Sequence, residues 1–341
     1  MKVNRGLLTK LENTRSTWLV TGAAGFIGSH LVESLLQLGQ IVVGLDNYST
    51  GRKENLVEVR NKVGANRWRA FSFIEGDILD IELCQRICSG IDYVLHQAAL
   101  GSVPRSIKDP LSTHAANVTG FLNVVSASIN TRVQRVVYAS SSSVYGSHQS
   151  LPKKEENIGE ALSPYALSKR INELYAGVFN HCYGLSSVGL RYFNVYGPRQ
   201  DPQGPYAAVI PKWISAMIEG REIEMNGDGK ITRDFCFVDN VIQANILAAV
   251  TEYQSDQRSV MNVAMHQQIS LNDLYELLRK KLALKVNIGE KRVKQRPERP
   301  GDIRHSLADI SLIRERLGYA PEHGLSVGLD KTLDWYLKNY I

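Results

Sequence analysis

The segment WLVTGAAGFIGSHLVESLLQ, residues 18–37, constrains this chain more than any other. Three glycines, Gly22, Gly25 and Gly28, separate an apolar strand-like run from an amphipathic helix-like one. Missing side chains there permit a tight turn and let a diphosphate approach the amino end of the helix. Phe26 and Ile27 sit inside the turn and join the candidate contacts. Eighteen residues beyond Gly28 the next apolar run, IVVGLD, ends in Asp46, followed by Asn47. A carboxylate at that strand end accepts hydrogen bonds from an adenosine ribose and repels a 2′-phosphate, which points to NAD rather than NADP.

The alternation continues. Strand-like runs at 18–21, 41–45, 71–74, 93–96 and 136–139 alternate with helical periodicity at 26–38, 111–129 and 164–183, and a run at 187–192 would complete the sheet. Strand alternating with helix implies a Rossmann-type, doubly wound parallel sheet covered on both faces. After it the pattern loosens, with helices expected at 207–219, 240–251 and 271–282. The expected division is an arm over 1–16, a dinucleotide-binding domain over 17–192 that can receive later crossovers, and a smaller mixed α/β substrate lobe over 193–341. A chain of 341 residues, 43% hydrophobic and 22% charged, can bury such a core.

No run of about eighteen apolar residues is present, and the first sixteen residues lack a cleavable apolar segment, so a cytoplasmic protein without a membrane span is expected. Cys84, Cys88, Cys182 and Cys236 are too scattered for a disulfide framework and lack zinc spacing, so no metal is expected. The net charge of +6 is spread along the chain, apart from residues 291–304. A polyanionic small ligand accounts for that cluster as well as nucleic acid would, and no nucleic-acid partner is expected.

Other residues extend the dinucleotide reading. Asp77 and Ile78 follow the 71–74 strand and belong near the adenine, although Asp77 could equally cap a helix. Gln97, Ala98 and Ala99 end the 93–96 strand with little bulk, while His96 reads as a packing residue without chemistry. Tyr165 and Lys169 stand four apart in SPYALSKRINELY and share a helix face. A free tyrosine has a pKa near 10, and lowering it by about three units takes roughly 4 kcal/mol of charge stabilisation. An ammonium together with an oxidised nicotinamide can supply that. The 136–139 strand then delivers Ser140 to Ser143 to the carboxyl edge of the sheet, where ligands of doubly wound folds bind. A hydroxyl there can hold a substrate alcohol against Tyr165, and spacing alone does not choose among the four.

Together GAAGFIG, the Asp46 strand end, the serines before VYG, YALSK and LRYFNVYGPRQ resemble the extended short-chain dehydrogenases/reductases, specifically UDP-sugar 4-epimerases. HQAALGSVPRSI, AAVIPKW, NGDGKITRDFCFVDN and RPGDIRHSLADI look most like the bacterial UDP-N-acetylglucosamine 4-epimerases of polysaccharide biosynthesis. The likeness covers nearly the whole chain except the amino-terminal arm.

It implies that Tyr165 takes the 4-hydroxyl proton, that Lys169 tunes Tyr165 and holds the nicotinamide ribose, and that Ser141, with Ser142 beside it, serves the sugar. Substrate contacts implied are Ser102, Ser106, Ser143 and Asn194 near sugar and diphosphate, and Ala208, Val209, Lys212 and Asn226 around the uridine. Arg233, Arg299 and Asp302 would hold phosphate and ribose. Loop capping is the plain alternative for Ser102 and Ser106. Ser306 takes the place where epimerases restricted to plain hexoses carry a bulky tyrosine, which leaves room for an N-acetyl group.

The implied activity is interconversion of UDP-GlcNAc and UDP-GalNAc with tightly held NAD, their uronic acid forms being a further option. A homodimer packing 111–129 and 164–183 from each subunit is also implied. A sugar-nucleotide 4,6-dehydratase is the enzymatic rival, and an NAD-sensing regulator without chemistry the other. The dehydratase pattern wants an acidic pair where Ser142 and Ser143 stand.

Overall fold

The structure, a computed structural model, describes residues 11, 14–204, 207–252, 259–289, 293–297 and 304–340. Its centre is a seven-stranded, wholly parallel sheet. The strands are β1 (Thr17–Thr21), β2 (Ile41–Asp46), β3 (Phe71–Glu75), β4 (Tyr93–His96), β5 (Arg135–Ser141), β6 (Ser187–Tyr192) and β7 (Val260–Val263). Their order across the sheet is β7-β6-β5-β4-β1-β2-β3. Chain direction across the sheet therefore reverses between β1 and β4, and the crevice at their carboxyl ends is where such folds bind ligands.

Burial explains the strand sequences. Every residue of β6 is buried, as a central parallel strand covered on both faces requires, whereas the edge strand β3 alternates half-buried and exposed positions. Helix Phe26–Gln37 presses Leu31, Val32, Leu35 and Leu36 onto the sheet. Burying each such side chain contributes on the order of 1.5–3 kcal/mol. Trp18 is fully buried beneath this helix's exit, with its indole N–H donating to Gln40 Oε1 at 3.1 Å. Of the amino-terminal arm, Leu11 is buried and its carbonyl accepts from Gln40 Nε2 at 2.7 Å.

Two expectations are corrected. The sheet is not complete at 187–192, because β7 adds in parallel to β6 from far later in the chain. Helix Val238–Val250, a later crossover of the kind the division allowed for, is buried along most of its length and packs against helix Phe26–Gln37 and strands β4 to β6, where it covers the sheet. The expected helix at 111–129 is interrupted: Pro110–His114 passes through a π turn at Ala115–Thr119 into Gly120–Asn130. A further helix, Lys53–Trp68, was not anticipated; its polar sequence carries little periodicity, and Gly64, at φ 78°, breaks its helical path.

The smaller lobe holds a parallel pair, Ile223–Asn226 with Val293–Arg296, and a short antiparallel pair, Thr232–Arg233 with Ile269–Ser270. Helices Val209–Ile218, Leu271–Ala283 and Leu325–Tyr340 pack around it. An isolated bridge of Lys153 with Ala308 brings the segment 304–310 against the loop after β5, and a second, of Thr232 with His305, holds it to the lobe's own short strand. No helix of the described residues is long and apolar enough to cross a membrane.

Candidate active site

The turn after β1 is built for close approach. Gly22 has φ 68°, and a Cβ placed on it would lie 2.8 Å from the Ala98 backbone nitrogen. A Cβ on Gly28 would lie 2.0 Å from the Gly22 carbonyl oxygen, so the helix can cross the turn this closely only with glycine there. Gly25 opens helix Phe26–Gln37 without any side-chain cap, which leaves the first-turn N–H groups and the positive end of the helix dipole for an anionic ligand.

A cavity of 660 Å³ lies over this turn. The structure brings to its wall Gly22, Gly25, Phe26, Ile27, Gly28, Asp46, Asn47, Asp77, Ile78, Gln97, Ala98 and Ala99, together with Ser141, Tyr165 and Lys169. Asp46 is held in place by its own loop: Oδ2 accepts from Ala24 N at 2.9 Å and Oδ1 from Tyr48 N at 2.8 Å. Burial pushes its carboxyl up from the ordinary value, and these backbone donors oppose that shift. Asp77 is not a helix cap. Its carboxylate accepts from Leu79 N and from Asn47 Nδ2 at 2.9 and 2.8 Å, joining the ends of β2 and β3, while Asp80 caps the next helix. Size, glycine spacing and a fixed carboxylate at the second strand end all fit an adenine dinucleotide.

His96 is buried and hydrogen-bonded to Thr21 Oγ1 at 2.9 Å, with burial pushing its pKa down to about 3, in keeping with a packing role. All four cysteines are free. Cys84 and Cys88 are buried on one helix with their thiols pushed up to about 12 and 11 by burial.

Tyr165 and Ser141 stand one residue from a second pocket. Ser163 caps helix Pro164–Tyr183, its Oγ accepting from Ala166 N at 3.1 Å, which sets Tyr165 in the first turn and Lys169 one turn on. Burial raises the Tyr165 pKa above its ordinary value, and the Ser141 side chain acts on the hydroxyl to oppose that shift. Lys169 Nζ donates to the Ala139 carbonyl at 2.8 Å, and burial lowers its pKa to about 8.

The structure also sorts the serine run. Alternation along β5 sends Ser140 to the other face, where its Oγ donates to buried Glu173 Oε1 at 2.6 Å, and Glu173 is paired in turn with Arg191 at 2.8 Å. Ser141 faces Tyr165, and its Oγ accepts from Ser143 N at 3.1 Å.

The second pocket, 160 Å³, is lined by Ser142, Ser143, Asn194, Arg233 and Ser306, and by Lys153, which sequence reasoning did not single out. Ser141 and Tyr165 line the first cavity while their neighbours Ser142 and Ala166 line the second. Ser306 is buried, its N–H donating to Thr232 O at 3.2 Å.

Other expected contacts stand outside both cavities. Ser102 caps helix Val103–Lys108, accepting from Arg105 N at 3.4 Å, and Ser106 Oγ donates to Val103 O at 2.8 Å, so the plain capping reading describes them. Lys212 pairs with Glu224 at 2.6 Å. Ala208 and Val209 open helix Val209–Ile218, and Asn226 ends its strand in the smaller lobe. Arg299 and Asp302 lie outside the described residues.

Asn117, in the π turn, was missed too. It donates to Ser168 Oγ at 3.1 Å and to Leu100 O at 3.1 Å and accepts from Leu100 N at 2.7 Å, tying the loop after β4 to the tyrosine-bearing helix. An isolated asparagine inside an apolar helical run was its only signal.

A dinucleotide crevice ending in a serine, tyrosine and lysine set defines a redox enzyme that works on an alcohol. The chain belongs to the NAD dependent epimerase/dehydratase family, whose model matches residues 18–264, and NAD is its cofactor. It is similar to the UDP-glucose 4-epimerase of Mycolicibacterium smegmatis, 37% identical over 93% of this chain and 97% of that protein. Among solved structures, the UDP-N-acetylglucosamine 4-epimerase of Methanobrevibacter ruminantium, in complex with UDP-N-acetylmuramic acid, is 39% identical over 95% and 99% of the two chains, with a TM-score of 0.86. The UDP-glucuronic acid 4-epimerase of Bacillus cereus, with UDP-glucuronic acid and NAD, is 31% identical over 95% and 100%, with a TM-score of 0.84. The chain is thus an enzyme, and of the two activities in the family name these relatives carry the epimerase one.

Proposed function

We propose that this enzyme is a UDP-N-acetylhexosamine 4-epimerase that interconverts UDP-GlcNAc and UDP-GalNAc. The observation that carries the reading is the placement of Tyr165, Ser141 and Lys169 on the wall of the dinucleotide cavity, with the next residues Ser142 and Ala166 lining the pocket that holds Ser306. A sugar in that pocket presents its 4-hydroxyl to Tyr165 and Ser141. Ser141 orients the alcohol, Tyr165 takes and later returns its proton, and Lys169 holds the charge that forms. Bound NAD supplies reversible hydride acceptance at carbon four. Epimerisation then requires firm grip on UDP and loose grip on the hexose, so that the oxidised sugar can present its other face.

Arg233 serves the diphosphate, with a planar guanidinium suited to paired charged hydrogen bonds. Asn194 lies beside it, Ser142 and Ser143 touch the sugar, and small Ser306 leaves space for the acetamido group. Arg299 and Asp302, with Ala208, Val209, Lys212 and Asn226, complete the uridine side in this reading. The Methanobrevibacter relative supports the acetylated substrate, and the lining of the sugar pocket, which holds no carboxylate, speaks against elimination of water.

Exposed Leu167, Leu174, Val178 and Tyr183 along helix Pro164–Tyr183, with exposed Leu111 nearby in the fold, support a homodimer, and we place the enzyme in the cytoplasm, supplying surface-polysaccharide synthesis. The test is incubation of the purified protein with UDP-GlcNAc labelled with deuterium at carbon four, without added NAD. UDP-GalNAc of unchanged mass that retains the label is expected. A product lighter by one water, or one formed only with stoichiometric NAD, would overturn the assignment.

A further inference from the structure

One charge in the sugar pocket has no task in the reaction described so far. Lys153 is 2% exposed, yet it lines the pocket beside Ser142, Ser143 and Ser306. Its ammonium donates to the His148 carbonyl, and among the described residues no carboxylate pairs with it. Two carboxylates close to it in the chain or across the loop are hydrogen-bonded elsewhere: Glu155 Oε1 accepts from Asn262 N at 2.8 Å, and Asp309 Oδ1 accepts from Ser311 N at 2.8 Å. A buried cation with one neutral partner is expensive to keep. A neutral donor would tie the loop to His148 as well, so the charge calls for a ligand.

The backbone of Lys153 is also fixed in place. Lys153 N donates to Leu307 O at 2.7 Å, Asp309 N donates to Lys153 O at 2.9 Å, and Asn262 Nδ2 donates to the same carbonyl at 2.9 Å. This backbone clasp locks Lys153 beside the segment that carries Ser306. Of the two cations in the pocket lining, Arg233 is taken by the diphosphate in the reading above. Lys153 belongs to the loop that follows the serine turn, on the sugar side.

We propose that Lys153 is a specificity-determining residue that binds a carboxylate on the hexose, so that the enzyme accepts acidic UDP-N-acetylhexosamines at least as well as neutral ones. The inference rests on the UDP-N-acetylhexosamine reading. Burial, which pushes the Lys153 ammonium below its ordinary pKa, is offset when a carboxylate arrives. A carboxyl group at carbon six and an acidic ether at carbon three share this chemistry.

The test compares dissociation constants and turnover for UDP-GlcNAc, its carbon-six acid and UDP-N-acetylmuramic acid, using wild-type protein, Lys153→Met and Lys153→Arg. Lys153→Met should weaken binding of one acid by about 10- to 100-fold, as loss of a charged hydrogen bond does, while UDP-GlcNAc changes by less than about threefold. Lys153→Arg should keep most of the acid binding, and whichever acid loses affinity identifies the position of the carboxylate. Equal losses on acidic and neutral ligands would overturn the proposal. So would a wild-type enzyme that binds UDP-GlcNAc more than about tenfold tighter than both acids, a result that does not depend on any variant folding. Acid-selective binding without turnover of any substrate would instead retain the Lys153 assignment and discard the epimerase reading.

Discussion

The cavity lined by Tyr165 and the pocket lined by Ser306 are made in different ways. Most of the dinucleotide cavity is formed by strand ends and the turns directly after them, so its lining follows from short stretches such as 22–28, 46–50, 76–79 and 97–101. The pocket proposed for the sugar gathers residues from seven separated places, around 103, 142, 153, 162, 193, 233 and 306. A backbone-shaped site tolerates few changes and holds one cofactor. A site assembled from isolated side chains on different segments can be altered one contact at a time, which suits the part of an enzyme that chooses among related substrates.

The contrast gives sharp expectations. Tyr165→Phe should lower kcat by about 10³-fold on every substrate, within the range for losing a general acid–base group, while NAD stays bound. Turnover near wild-type levels would remove Tyr165 from the chemistry. Gly28→Ala should damage the cofactor side alone. Its Cβ meets backbone, which cannot swing aside, so a stability loss on the order of 1–3 kcal/mol and protein purified with little NAD are expected from thermal melts and absorbance.

Ser306→Tyr should act on the other side, cutting kcat/KM for N-acetylated substrates by about tenfold more than for plain UDP-hexoses, with NAD content unchanged. Loss of NAD in that variant would break the division between the two regions. The smallest effect concerns pH. With Lys169 lowered to about 8, its ammonium is present below that pH and lost above it, so activity that uses the charge falls as pH rises. A decline of about tenfold in kcat/KM between pH 7 and 9 is expected, and a flat profile would show that turnover does not depend on an ammonium titrating in that range.

The same contrast governs what the sequence made legible. Glycine spacing, strand-end carboxylates and a tyrosine–lysine helix face are local signals, and the structure brings all of those residues to one cavity. Strand β7 was not legible because its four residues, VMNV, are unremarkable until paired with β6, some seventy residues earlier in the chain. The π turn escaped notice because hydrophobic periodicity across 111–129 is barely disturbed by one extra residue in a turn. Lys153 and Asn117 act through what they meet in space. A lysine in LPKKEEN reads as a solvated loop residue, and only folding against Leu307 and Asn262 buries it. Lys212 shows the reverse, a lysine in a telling motif that the fold pairs with Glu224. Ser141 emerged from four serines once strand pleating had turned Ser140 toward Glu173.

Asn262, at the centre of β7, has one further consequence. Its side chain accepts from Tyr145 at 2.6 Å and donates to the carbonyls of Lys153 and Asp309, both at 2.9 Å, so a single amide pins three stretches of chain to the rim of the sheet. Recombining two relatives at a crossover before residue 260 would graft a foreign pin onto native loops. Breeding such hybrids for new sugar preference therefore calls for inheriting that strand and the loops it fastens from the same parent.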